Sequence, residues 1–61
     1  MVTMEFAKRY ADSYEEGMSI EEYIDFFKDC QRSAPEDAEF AELNEEELKE
    51  LAGLVIEINE E

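Results

Sequence analysis

Carboxylates dominate the chemistry open to this chain: nineteen Asp and Glu stand against five Lys and Arg, with no histidine and a single cysteine, Cys30. Paired carboxylates can act as general acid and base, but only in a cleft that raises one pKa above the other, and a domain of 61 residues rarely builds one. Among nineteen acids some pairs fall close by chance. The chain contains no G-x-S-x-G and no phosphate-cradling glycine loop, and Cys30 has no histidine to activate it. The expectation is a protein that is not an enzyme and carries no cofactor. One thiol without imidazole also excludes a zinc site of ordinary ligand type.

Calcium is the other chemistry to weigh, because Asp12-Ser13-Tyr14-Glu15-Glu16-Gly17 superficially resembles the start of an EF-hand loop. With Asp12 as first ligand, Tyr14 falls at the third position and Tyr23 at the twelfth, where a bidentate Glu belongs. Ser19 occupies the apolar position two residues after the glycine. The pattern fails three times, so this stretch reads as an acidic corner between two helices and no metal site is expected.

What the acids do show is a distribution. Residues 1 to 32 hold eight acids and four bases, whereas residues 33 to 61 hold eleven acids and one base, Lys49. On a final helix Glu46, Glu50, Glu57 and Glu61 fall opposite the apolar stripe, and Glu36, Asp37, Glu39 and Glu42 precede them. Residues four apart on a helix are separated by about 6 Å along its axis. That lies within a factor of two of the roughly 3.4 Å axial charge separation along one strand of duplex DNA. A stiff row of this kind suits a basic groove meant for DNA or RNA. A net charge of −14 on so short a chain exceeds what solubility requires and works against compaction, which suggests that the charge is used. For any single acid, plain solvation remains the simpler explanation.

In size, acidity and expected helix content the whole chain resembles the small nucleic-acid-mimicking inhibitors of phages and mobile elements, the anti-CRISPR and anti-restriction proteins. These share no motif, so the resemblance assigns no residue. It implies a stoichiometric inhibitor whose partner is a basic nucleic-acid-binding protein or complex, with no direct contact to nucleic acid, which this charge would repel. The alternative is a helical interaction module (an antitoxin, adaptor or regulatory subunit) docking through apolar residues such as Leu54, Ile56 or Ile58.

Four helical segments must position these side chains, giving an all-α bundle of three to four helices within one domain, 1–61. The first, 3–16, has Thr3 as N-cap, Phe6, Tyr10 and Tyr14 on one stripe, and Gly17 to close it; Glu5–Arg9 and Lys8–Asp12 are its i,i+4 ion pairs. The second, 19–32, opens on a Ser19/Glu22 capping box and buries Ile20, Tyr23, Ile24, Phe27 and Cys30. A short third, 35–42, begins at Pro35 and sends Phe40 inward. The fourth, 45–58, opens on Asn44/Glu47 and carries Leu48, Leu51, Ala52, Val55 and Ile58. Gly53 interrupts it, so 54–58 also reads as a short strand; with no second strand to pair it, helix is preferred.

The remaining bounds come from size. A chain this short buries only about 60% of the surface its unfolded form exposes, and it has no internal disulfide to support it. A homodimer would reconcile that small core with the high charge. The chain has no apolar run long enough to span a bilayer and no signal-peptide core at its start, and its lone thiol fits a reducing compartment, so a cytoplasmic location without membrane contact is expected.

Overall fold

Thr3 begins the fold as foreseen: its hydroxyl accepts the Phe6 N–H at 3.1 Å and starts helix α1, Met4–Lys8. The computed structural model describes residues 2–33 and 37–60. Within them follow a 3-10 turn at Ala11–Ser13, α2 at Ile20–Arg32, α3 at Ala38–Ala41 and α4 at Glu45–Glu60, with no strand among the described residues. The all-α architecture agrees with the apolar periodicity.

The first helix is much shorter than its stripe suggests. It stops after Lys8 because Tyr10 leaves the helical path, at φ −113° and ψ 11°. There its ring stacks on Phe40 at 4.8 Å between centroids and tilts against Phe6 at 5.2 Å. Its hydroxyl donates to Asp37 at 2.7 Å. Contacts to residues far along the chain outweigh the local preference for more helix, so the expected Lys8–Asp12 pair has no helix to carry it, and Arg9, expected to pair with Glu5, is drawn to Asp37. The 3-10 turn is held by a residue 48 positions further along the chain, Asn59, which donates to the Ala11 carbonyl at 3.0 Å and to the Val55 carbonyl at 2.9 Å. Gly17 is left-handed, φ +85°, as expected of a chain-reversing glycine. It belongs to a tight turn closed by Met18 N–H to Glu15 O at 3.2 Å, several residues beyond the end of α1.

The second and fourth helices carry the core. Both capping boxes form with reciprocal bonds: Ser19 and Glu22 at 3.2 Å in each direction, Asn44 and Glu47 at 2.9 and 3.1 Å. Tyr23 and Phe27 of α2 meet Leu48, Leu51, Ala52 and Val55 of α4 in a dry centre, which Val2, Phe6, Ala7 and Phe40 close. The Tyr23 hydroxyl reaches the Glu15 backbone, accepting its N–H at 2.9 Å and donating to its carbonyl at 3.2 Å, so the turn satisfies this buried polar tip. Cys30 is half-buried against the core, consistent with a small packing residue.

The third helix starts at Asp37, whose side chain caps the Glu39 N–H at 3.0 Å. The expected start at Pro35 lies outside the described residues. Gln31 anchors the far end of α3 by donating to the carbonyls of Phe40 and Leu43, at 2.8 and 3.0 Å. Residues 54–58 are helical, and α4 runs two residues past its expected end, with Gly53 exposed in its interior. A glycine there costs about 1 kcal/mol relative to alanine.

Candidate acidic interface

The acids of the second half separate by what surrounds them. Glu46, Glu50 and Glu57 are exposed on α4. At 100° per residue they lie, with Gly53, within about 60° of one another around the helix, and the row covers about 17 Å of axis. The helix that carries them is pinned by Leu48, Leu51, Ala52 and Val55 on its opposite side, all at most 1% exposed. The row is therefore mounted on the most firmly packed element of the molecule.

Glu39 and Glu42 are also exposed but belong to a different surface. With Glu47 they border a recess of about 380 Å³ that includes Val2, Phe6 and Leu43, beside the N-terminal segment. Glu47 is already engaged in capping, and the Asn44 N–H holds its carboxyl below the usual carboxylate range. Glu36 and Glu61 lie outside the described residues. Thus the structure groups Glu46, Glu50 and Glu57 as one row and Glu39 with Glu42 as a second group.

Asp37 stands apart from both. It accepts from Tyr10, pairs with the Arg9 guanidinium, and caps α3 through Glu39 N–H and Phe40 N–H. The Tyr10 hydrogen bond is the foremost cause that lowers its carboxyl pKa, with the Phe40 N–H and Arg9 adding to it. Burial, and next this same hydrogen bond, push the Tyr10 hydroxyl up to about 12. Among the proposed interface acids, Asp37 has its oxygens committed inside the fold.

The cations reinforce this division. Arg9 pairs with Asp37 and also lies over the Phe6 ring at 5.2 Å, Lys28 pairs with Glu45 at 3.5 Å, and Arg32 with Asp29 at 3.4 Å. Three of the five bases therefore sit against acids outside the α4 row. Lys49 is the base beside it, lining with Ile20, Glu46, Glu50 and Gly53 a shallow groove of about 480 Å³. Sequence reasoning overlooked Ile20, Lys49 and Gly53 as neighbours of the row. Gly53 carried a signal, since a glycine amid Glu46, Glu50 and Glu57 at helical spacing interrupts the row without changing its face; the position of Ile20 depends on how α2 crosses α4.

Among the described residues no group of three or more His, Cys, Asp or Glu is placed to hold a metal ion. Among the same residues no helix is long and apolar enough to cross a membrane. Comparison with protein-family models, with curated proteins and with solved structures finds no match to this chain.

Proposed function

We propose that this protein is a stoichiometric inhibitor that presents carboxylates in place of nucleic-acid phosphates and blocks the basic groove of a DNA- or RNA-binding complex, in the manner of anti-CRISPR or anti-restriction proteins. The observation that carries this reading is the exposed Glu46–Glu50–Glu57 row on a well-packed helix, in a chain of net charge −14 whose pairing cations mostly lie elsewhere. Such a row attracts a cationic cleft over distance and meets it without rearrangement, which favours fast and salt-sensitive association. The partner is a basic nucleic-acid-binding protein, and the chain acts in the cytoplasm where such complexes work.

The test is affinity capture from host lysate with the whole chain as bait, with and without competing duplex DNA. Captured nucleic-acid-binding proteins should be released by the DNA and by raising salt from about 50 to about 200 mM. Capture that ignores both would overturn the reading.

One observation favours the alternative of a helical interaction module. Phe26 is 42% exposed on α2 and Met4 is 39% exposed on α1, whereas Leu54, Ile56 and Ile58 are half-buried and packed against the core. An apolar docking surface would therefore centre on Phe26, and capture by that route would be lost in Phe26→Ser and retained at high salt.

A further inference from the structure

The N-terminal arm, residues 2–14, docks on the second half of its own chain. Val2, Phe6 and Ala7, each at most 8% exposed, seat it in the core, and α1 and the 3-10 turn both pack against α4. The Tyr10 ring stacks on Phe40, and hydrogen bonds tie Tyr10 to Asp37, the Ala11 carbonyl to Asn59, and the Tyr14 hydroxyl to Glu60 at 3.2 Å. These bonds span 27 to 48 positions of sequence.

The arm joins α2 through the turn 15–18. Tyr14 and Ser19 on either side are already extended, with ψ of 135° and 164°. Between them the chain reverses on Gly17, φ +85°, where a Cβ would meet nothing within 4 Å, so the backbone alone demands glycine. The Tyr23 hydroxyl clasps the same turn through both the N–H and the carbonyl of Glu15. One left-handed residue and one side-chain clasp therefore decide that the arm folds back onto its own chain.

We infer that the arm exchanges between two copies of this chain: residues 15–18 straighten, and each arm docks on α3 and α4 of the other copy through the contacts it makes here on its own. The surface and its occupant are both present in the fold; only the connection between them changes. Residues 14–19, fully extended, span about 20 Å, which matches the shorter extents of the molecule, 22 and 19 Å. Both forms share the arm's contacts, so the balance falls to the hinge and to charge. Straightening frees Gly17 from its left-handed conformation but strips the Tyr23 hydroxyl of its Glu15 bonds. Two copies of net charge −14 repel one another, a repulsion that salt screens beyond about 10 Å at 0.1 M. The chain is therefore a monomer in dilute, low-salt solution and an exchanged dimer at high concentration and high salt. The exchange does not depend on the function proposed above.

The experiment is size-exclusion chromatography with light scattering on the full chain, refolded from urea at rising protein and salt concentration. In Gly17→Val a β-branched residue disfavours the left-handed turn about tenfold and leaves the straight hinge untouched. With two hinges in each dimer, the dimerisation constant should rise about a hundredfold. Tyr23→Phe should shift it the same way, because only the parent strands a buried hydroxyl when the turn opens. A Gly17→Val chain that dimerises no more than the parent overturns the exchange; if that chain does not fold, the same result with Tyr23→Phe overturns it. Exchange is told from association through an outer surface by refolding Arg9→Asp and Asp37→Arg together, each in the Gly17→Val chain. In an exchanged heterodimer the new carboxylate at position 9 meets the new guanidinium at position 37, and native Arg9 meets native Asp37. Each variant alone sets like charges against one another. Native mass spectrometry should therefore find the heterodimer in large excess, and a variant that folds only in the mixture supports exchange equally. A statistical mixture of the three dimers overturns it.

Discussion

Asp37 and Glu50 carry the same charge and lie thirteen positions apart in the acidic half of the chain, yet the fold treats them in opposite ways. Asp37 is drawn in by a tyrosine hydroxyl, a guanidinium and two backbone N–H groups, and its negative charge joins the N-terminal segment to α3. Glu50 is held at the surface of α4 beside Glu46, four residues away, where like charges oppose one another. The contrast teaches that acidity alone does not define an interface. A carboxylate is available to a partner only where the chain's own donors have not already claimed it, and the donors here gather around residues 9, 10 and 37.

The severest way to break this contrast is to remove the platform under the Asp37 junction. Phe40, 2% exposed, supports the Tyr10 ring and packs edge-on against Phe27 at 5.9 Å. Phe40→Ala should cost about 3–5 kcal/mol, enough in so small a domain to leave much of the chain unfolded at 25 °C by circular dichroism. A milder cut is Tyr10→Phe, which keeps the ring and deletes the hydroxyl; about 1 kcal/mol should be lost in urea denaturation. If Tyr10→Phe were neutral, the inward role of Asp37 would rest on Arg9 and the cap alone.

The same variant has a pH signature. The Tyr10 pKa is raised on folding, from 10.0 to about 12, so its stabilising contribution is complete below pH 10 and is lost as pH climbs through about 12. Asp37 has the opposite sense. Its pKa is lowered below 3.8, so its contribution is present above that value and disappears as pH falls through the lowered one. Thermal melts should show a steeper alkaline loss in the parent than in Tyr10→Phe, and an acid loss that Asp37→Asn flattens. Matching alkaline limbs would show that Tyr10 is not the group that couples folding to high pH.

Local signals in the sequence proved readable. Thr3, Ser19 with Glu22, and Asn44 with Glu47 cap helices because the bonds they make there reach only three residues along the chain. The buried faces of α2 and α4 follow from periodicity for the same reason. What escaped was set by distance along the chain. Tyr10 ends the first helix because of Asp37 and Phe40, 27 and 30 positions away, and nothing near Tyr10 announces them. Gln31 reads as an ordinary polar residue near a helix end, yet it ties down the carbonyls of Phe40 and Leu43. The candidate interface was legible as a helical row at Glu46, Glu50 and Glu57, because spacing on one helix fixes a face. Its relation to Glu39, Glu42 and Ile20 was not, because that depends on how separate helices cross.

The smallest expected effect sharpens the comparison most. Replacing Glu46, Glu50 and Glu57 by Gln together keeps shape and helix propensity but removes three charges from one face of α4. It relieves the Glu46–Glu50 i,i+4 repulsion and lowers the overall charge, so Tm should rise by about 2–4 °C at low ionic strength. Added salt should raise the Tm of the parent and raise that of the variant less, because screening and neutralisation relieve the same repulsion. Asp37→Asn removes one charge of the same sign and should instead lower Tm, since the lost attraction to Arg9 and Tyr10 is local and outweighs the relief of distant repulsion. The two responses of opposite sign, measured by scanning calorimetry at two salt concentrations, separate a carboxylate that the fold uses from carboxylates that it leaves exposed for a partner. A fall in Tm for the triple variant would mean that the α4 row also holds the fold together, and the charge there would then need no partner to explain it.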